Sequence, residues 1–160
     1  MTRILFVCMG NICRSPTAEA VTSKFILNSR LESIIKVDSA GTHGYHIGEP
    51  PDPRSREAAL KRGIDLSGLR ARKVVPEDFE RFDLLLAMDH VNLALLKRSA
   101  RPEHHAKLGL FMSYASRFDT DDVPDPYYGD QSDFEHVFSL LDDACQRILK
   151  KFAHAQSEVV

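Results

Sequence analysis

The sequence predicts an α/β fold: a single domain with a mostly parallel four-stranded sheet, helices on both faces and a phosphate-binding loop after the first strand. Three observations lead there. Short apolar runs alternate with stretches of helical period along the 160 residues, the pattern of strands joined by crossover helices. Helix-start signals recur, at Asp52-Pro53, Asp89 and Ser132. The first apolar run ends at a cysteine followed by a short Gly/Asn loop and a helix-like segment. This is where parallel sheets place ligands, at the carboxyl ends of strands.

The elements follow in order. Residues 3–7, with the run Ile4-Leu5-Phe6-Val7, read as a buried strand. Residues 16–29 read as a helix with Ala18, Val21, Phe25 and Ile26 on one face. A second strand spans 34–39, and a Gly/His/Pro loop runs on to about Pro51. Asp52 then caps a helix with Pro53 at its first position and Gly63 at its end. Residues 83–88 are a third buried strand, and Asp89 caps a helix over 90–98. A fourth strand covers 107–111, followed by a polar, acidic, proline-bearing loop over 112–129. The last helix, 132–153, turns Phe134, Val137, Phe138, Leu141, Cys145, Ile148 and Leu149 inward. There are no repeats or low-complexity linkers, so residues 1–160 are expected to form one domain.

Composition narrows the partners. A formal net charge of −2 gives no global basic field, which argues against a nucleic-acid ligand. No apolar run is long enough to span a membrane. Met1-Thr2-Arg3 passes directly into strand-like sequence, so no signal peptide is expected. Three cysteines without framework spacing fit a reducing compartment, and a cytoplasmic location is expected.

The chemistry centres on Cys8-Met9-Gly10-Asn11-Ile12-Cys13-Arg14, followed by Ser15-Pro16. A Cys and an Arg at this spacing carry little weight alone; the context gives them meaning. Gly10 and Asn11 are residue types that tolerate left-handed backbone, as a tight loop requires. Ser15 brings a hydroxyl to the helix start, able to cap it or to donate to a thiolate. Pro16 fits a first helical turn. Backbone N–H groups at such a helix start point at an anion, and a nearby thiol is pushed toward thiolate. Helix starts favour anionic side chains, so Arg14 there needs a reason; a planar guanidinium gripping two phosphate oxygens supplies one. A thiolate facing a cradled phosphate is equipped to attack phosphorus.

A leaving alkoxide or phenolate must be protonated, which asks for a carboxylic acid above the site. Asp125, held between Pro124 and Pro126, is a candidate, although its spacing alone fits better with a turn aspartate of the acidic loop. Tyr127 and Tyr128 are loop aromatics that could wall a slot for a flat substrate. Cys13 is either a plain loop thiol or a redox partner for Cys8, and Cys145 belongs to the core. The seven histidines lack paired metal-ligand spacing, and most are expected at the surface. Cys8 and Cys13 would give a metal only two ligands, and no Walker-type Gly-Lys-Ser/Thr loop is present. Neither a metal nor another cofactor is expected.

With these residues in view, the chain resembles the low-molecular-weight protein tyrosine phosphatases of the bacterial kind. The matching segments are Leu5 through Pro16, Asp38-Ser39-Ala40-Gly41-Thr42, Leu86-Ala87-Met88-Asp89, Pro124 through Gly129, and Ser132-Asp133-Phe134-Glu135. The resemblance implies a metal-independent phosphotyrosine and aryl phosphate hydrolase working through a phosphocysteine. It implies Cys8 as nucleophile, Arg14 as phosphate clamp and Asp125 as general acid. The phosphate would bind on Met9, Gly10, Asn11, Ile12, Cys13, Arg14 and Ser15, with Asn11, Ser15 and Ser39 holding the loop by hydrogen bonds. Two departures stand out. Leu69 occupies a position where the family usually has a His that supports the loop Asn, and Tyr45, at the pocket rim, replaces a frequent Trp.

Arsenate reduction on a similar fold needs further cysteines around residues 80–95, and the chain has none there. A phosphotyrosine reader would have lost Cys8, Arg14 or Asp125. The expected partners are phosphotyrosine-bearing proteins, among them an autophosphorylated bacterial tyrosine kinase.

Overall fold

A computed structural model describes residues 1–155; positions 156–160 of the expected 1–160 span lie outside the described residues. Four strands form one sheet in the order β2-β1-β3-β4: β1 (Thr2–Cys8), β2 (Ile35–Gly41), β3 (Leu84–Ala87) and β4 (Leu108–Leu110). Every pairing is parallel. Because β1 lies between β2 and β3 and is covered on both faces, its centre is continuously apolar rather than alternating. Ile4, Phe6 and Cys8 face the larger core, built with α1 (Arg14–Asn28) and α5 (Gln131–His154). Leu5 and Val7 point the other way, into a smaller core with Phe79, Phe82, Leu85 and Leu96, as the two-residue period of a strand dictates. Leu96 belongs to α4 (His90–Ser99), so helices cover both faces. Phe6 and Phe111 meet edge to face at 5.5 Å, and both are fully buried. Burial of each such side chain is worth about 1.5–3 kcal/mol.

Several boundaries differ from the sequence expectation. β2 runs two residues past 39, because Val7 pairs with Ala40 and Cys8 with Gly41. A Cβ at Gly41 would lie 2.6 Å from the Met9 carbonyl, so this glycine lets the two strand ends close on each other. Helix α1 begins at Arg14 rather than 16, which places Ser15 inside its first turn; no side chain caps this helix, so the capping role open to Ser15 is not taken. Helix α2 (Pro53–Leu60) is capped by Asp52 as expected, but it stops before Gly63, whose φ of +72° serves the turn beyond. Helix α5 starts at Gln131, not Ser132. Asp130 is its cap: its Oδ1 accepts from the N–H of Ser132 and Asp133, and Asp133 takes the N–H of Asp130 in return. A single turn, α3 (Asp78–Arg81), and 3₁₀ segments at Pro102–Lys107 and Phe111–Tyr114 also form; such short pieces leave no periodic signal in sequence. The expected inward residues of α5, from Phe134 to Leu149, are buried. Among the described residues no helix is long and apolar enough to cross a membrane.

Candidate active site

The loop between β1 and α1 closes around a pocket because its carbonyls are tied outward. The Cys8 carbonyl accepts from Thr42 N–H at 2.8 Å, that of Met9 from His43 N–H at 3.0 Å, and that of Ile12 from Asp52 N–H at 2.8 Å. In a trans peptide unit the N–H opposes the C=O, so the N–H groups of Met9, Gly10 and Cys13 are turned inward. Asn11 takes the left-handed conformation at φ 56°. Gly10 does not share it. Its value is space, since a Cβ there would come within 3.0 Å of the His46 ring.

Asn11 is the hub of the loop. Its Nδ2 donates to Ser15 Oγ at 2.8 Å and to Ser39 Oγ at 2.9 Å, while its Oδ1 accepts from Arg72 N–H at 2.9 Å. With both amide hydrogens and the carbonyl engaged, the side chain is held in one orientation. Ser15 Oγ lies 3.0 Å from Cys8 Sγ. Ser39 passes its own hydrogen to Glu19. Burial raises the Glu19 carboxyl to about 7, against the Ser39 hydrogen bond and with nearby Asp38 adding to the rise.

This network answers the question posed by Leu69. Support for Asn11 comes from the Arg72 backbone, and Leu69 packs half-buried against the larger core. Leu69→His is therefore expected to leave kcat within about twofold while costing about 1 kcal/mol of stability, as is ordinary for a half-buried change. Steady-state rates and a thermal melt check this. A large change in kcat would mean that support of the loop passes through position 69.

Arg14 is only 2 % exposed. Its Nη1 donates to Asp89 Oδ2 at 2.6 Å and to the Val123 carbonyl at 3.0 Å. Nη2 lies 3.5 Å from Asp125 Oδ2, and Nε has no hydrogen-bond partner. Burial works against the guanidinium charge, but Cys8, the Asp89 hydrogen bond and Asp125 outweigh it and hold Arg14 more firmly protonated than usual. Nη1 is thus anchored, Nη2 is held only by the longer contact to Asp125, and Nε is left without a partner in a side chain that lines the same cavity as Cys8.

Cys8, Met9, Gly10, Ile12, Cys13, Arg14, Tyr45, His46, Asp125, Tyr127 and Tyr128 line one cavity of about 290 Å³. Cys8 is 2 % exposed, and the aromatic side chains form the rim. Tyr127 and Tyr128 meet edge to face at 5.0 Å, and Tyr45 stacks on His43 at 5.0 Å. Tyr128 is 95 % exposed. Asn11 and Ser39 support the loop from behind. Cys13 is buried, and burial together with Asp52 and Cys8 pushes its thiol strongly up, favouring the protonated form. Cys145 is fully buried in the core. All three cysteines are free.

Besides Arg72, sequence reasoning missed three contributors. Asp89 was expected only as a helix cap; it does cap α4, accepting from Asn92 N–H at 2.7 Å, but its other oxygen holds Arg14. The signal was available, because an acid just past the end of the strand paired with β1 must lie near the loop that follows β1. His46 was expected at the surface, yet it lines the cavity and bonds Glu49 at 2.8 Å. Arg54 reaches the loop that carries Asp125, a contact with no local sequence signal. Among the histidines, His104 is an exception to the surface pattern: it is buried and stacks on Phe79.

The family model for low molecular weight phosphotyrosine protein phosphatases matches residues 3–158. The chain is 40 % identical to YfkJ, a low-molecular-weight protein-tyrosine-phosphatase of Bacillus subtilis, over 93 % of this chain and 94 % of that one. The YfkJ crystal structure superposes with a TM-score of 0.89, covering 100 % and 98 % of the two chains at 39 % identity. The human low molecular weight phosphotyrosine protein phosphatase is 43 % identical over 92 % of this chain and 94 % of its own. The crystal structure of a protein tyrosine phosphatase from Entamoeba histolytica gives a TM-score of 0.92 at 38 % identity, covering 98 % and 99 %. The chain belongs to the low-molecular-weight phosphotyrosine protein phosphatases. It is accordingly a hydrolase of the cysteine-based kind, with phosphotyrosine-bearing proteins as its substrates.

Proposed function

We propose that Cys8 is the nucleophile, Arg14 the phosphate clamp and Asp125 the general acid and base of this phosphatase. The observation that carries this reading is the buried guanidinium of Arg14, fixed through Nη1 and left with an unpartnered Nε, in the cavity that Cys8 also lines. A buried donor without a partner is costly unless a ligand completes it. A phosphate dianion does so, accepting from Nε and Nη2 on one side and from the inward loop amides, Met9 through Ser15, on the other. The docked dianion replaces Asp125 as the partner of Nη2.

The Cys8 thiolate then attacks phosphorus in line. The S–P bond forms as the P–O bond to the phenol breaks, and Asp125 gives its proton to the departing oxygen. In the second half Asp125, now a carboxylate, takes a proton from water. The water oxygen attacks phosphorus, the S–P bond breaks, and inorganic phosphate and the thiolate are released. Ser15 Oγ, with its lone pair engaged by Asn11, is free to donate to the Cys8 sulfur. The loop amides and Arg14 stabilise the equatorial oxygens throughout.

A sulfur at the base of a cavity rimmed by Tyr45, Tyr127 and Tyr128 asks for a long, flat side chain. Phosphotyrosine peptides are expected to exceed phosphoserine peptides by orders of magnitude in kcat/KM, with EDTA leaving the rate unchanged. Preferred phosphoserine turnover, or strong inhibition by chelator, would contradict the assignment. We read residues 1–160 as one catalytic domain working in the cytoplasm, a location supported by the free cysteines. Its protein substrate we take to be an autophosphorylated tyrosine kinase of the same cell.

Cys13 is the candidate redox partner. Peroxide entering the cavity would convert the Cys8 thiolate to sulfenic acid; condensation with the Cys13 thiol would expel water and form a disulfide with Cys8. Inactivation by peroxide is then expected to reverse with a thiol reductant in the wild type and to become largely irreversible in Cys13→Ser. Equal recovery in both would leave Cys13 a plain loop thiol.

A further inference from the structure

The C-terminal half of the loop that carries Asp125 is tied to the start of α2, and through it to the phosphate loop, by the Arg54 side chain. Asp52, the cap of α2, donates its N–H to the Ile12 carbonyl at 2.8 Å, so the start of α2 is fixed to the phosphate loop. The Asp52 carboxylate grips the Arg54 guanidinium on two sides, Nε to Oδ1 at 3.0 Å and Nη2 to Oδ2 at 2.9 Å. The remaining donors reach across to the acid loop: Nη2 donates to the Tyr127 carbonyl at 2.9 Å and Nη1 to the Gly129 carbonyl at 3.3 Å. The guanidinium also covers the Phe134 ring, with its carbon 4.4 Å from the centroid.

Asp125 itself is weakly held. Its side chain is 38 % exposed and contacts Arg14 Nη2 at 3.5 Å and Tyr127 N–H at 3.2 Å. On its N-terminal side the backbone is fixed at Val123, which bonds Met88 and Arg14. On its C-terminal side Arg54 binds both Tyr127 and Gly129. We propose that Arg54 is a positioning residue for the general acid, setting the reach of Asp125 over the phosphate by clasping the acid loop to the start of α2. The inference rests on the assignment of Asp125 as the acid. The clasp needs a planar fork, because four contacts in four directions lie beyond a lysine ammonium with three donors.

The test compares wild type, Arg54→Met, Arg54→Lys, Asp125→Asn and the double variant Arg54→Met/Asp125→Asn on aryl phosphates of graded leaving-group pKa. Inorganic phosphate inhibition and thermal melts are measured alongside. Arg54→Met is expected to lose roughly ten- to a hundredfold in kcat/KM, which reports steps up to P–O cleavage, on the poorest leaving groups, the scale of a misplaced catalytic group, and little on the most acidic phenol. Inhibition by phosphate should stay within about twofold, and the double variant should be no slower than Asp125→Asn. Arg54→Lys, which keeps the charge beside Asp52, should show the same leaving-group slope in weaker form and serves if the methionine variant fails to fold. A steep series in Asp125→Asn with a flat one in both Arg54 variants would overturn this inference alone. Losses that multiply in the double variant would do the same. A flat series in Asp125→Asn would remove the acid assignment, and this inference with it.

Discussion

Cys8→Ser is expected to abolish turnover, by roughly four to six orders of magnitude as for loss of a nucleophile elsewhere, while still binding phosphate or vanadate. The two halves of that result come from different parts of the site. Binding rests on the loop amides and on Arg14, whose anchors, Asp89 and the Val123 carbonyl, do not involve the sulfur. Chemistry requires a sulfur that can form and break a bond to phosphorus, and a serine hydroxyl at that place has no adjacent base; its neighbour is the hydroxyl of Ser15. The control is Cys145→Ser. Cys145 is equally buried, but it lies on α5 within the larger core, with its thiol directed at the Ala18 carbonyl. Its replacement should affect stability and leave turnover per folded molecule nearly intact. Release of phosphate from an aryl phosphate, with protein concentration corrected for folded fraction, measures both. Substantial turnover in Cys8→Ser would end the nucleophile assignment.

Asp125→Asn should lose about a hundred- to ten-thousandfold on tyrosyl phosphate, the usual worth of a positioned acid. The loss in kcat/KM, which reports steps up to P–O cleavage, should shrink steadily as the leaving phenol becomes more acidic, because a good leaving group departs without a proton. A second consequence follows from the base role. With a very acidic phenol the first half-reaction no longer needs Asp125, whereas hydrolysis of the thiophosphate still does, so the phosphoenzyme should accumulate in this variant. An equal loss across the leaving-group series would make Asp125 a structural turn residue.

Much of the fold was legible because its signals are local. The continuous apolar run Ile4–Val7 marks a strand covered on both faces, and the Asp52-Pro53 and Asp89 caps mark helix starts that the structure keeps. Boundaries slipped where tertiary contacts decide them. β2 extends to Gly41 because its end pairs with Cys8, and Asp130 outcompetes Ser132 as a cap because it can exchange hydrogen bonds with Asp133. The phosphate loop was readable as a contiguous motif. Of the residues that support it from other segments, Ser39 was expected from the resemblance, whereas the roles of Asp89 and Arg72 depend on tertiary pairing. Asp89 reaches Arg14 only because β3 lies beside β1 in parallel register, with Val7 opposite Ala87. Arg72 reaches Asn11 through its backbone N–H, a donor that any non-proline residue would offer, so no side-chain type announces it. The left-handed conformation was rightly placed in the loop, but it falls on Asn11 alone; at Gly10 the absent side chain makes room for the His46 ring.

The central claim is that catalysis passes through a covalent bond between phosphorus and Cys8, and the most direct measurement is to trap that bond. Asp125→Asn is mixed with an aryl phosphate bearing a very acidic phenol, quenched in acid within the first turnover, digested and mapped by mass spectrometry. The account predicts one phosphoryl group on the peptide containing Cys8, formed at the rate of the phenol burst and absent in Cys8→Ser. A phenol burst without label on Cys8, or label on any other residue, would contradict it.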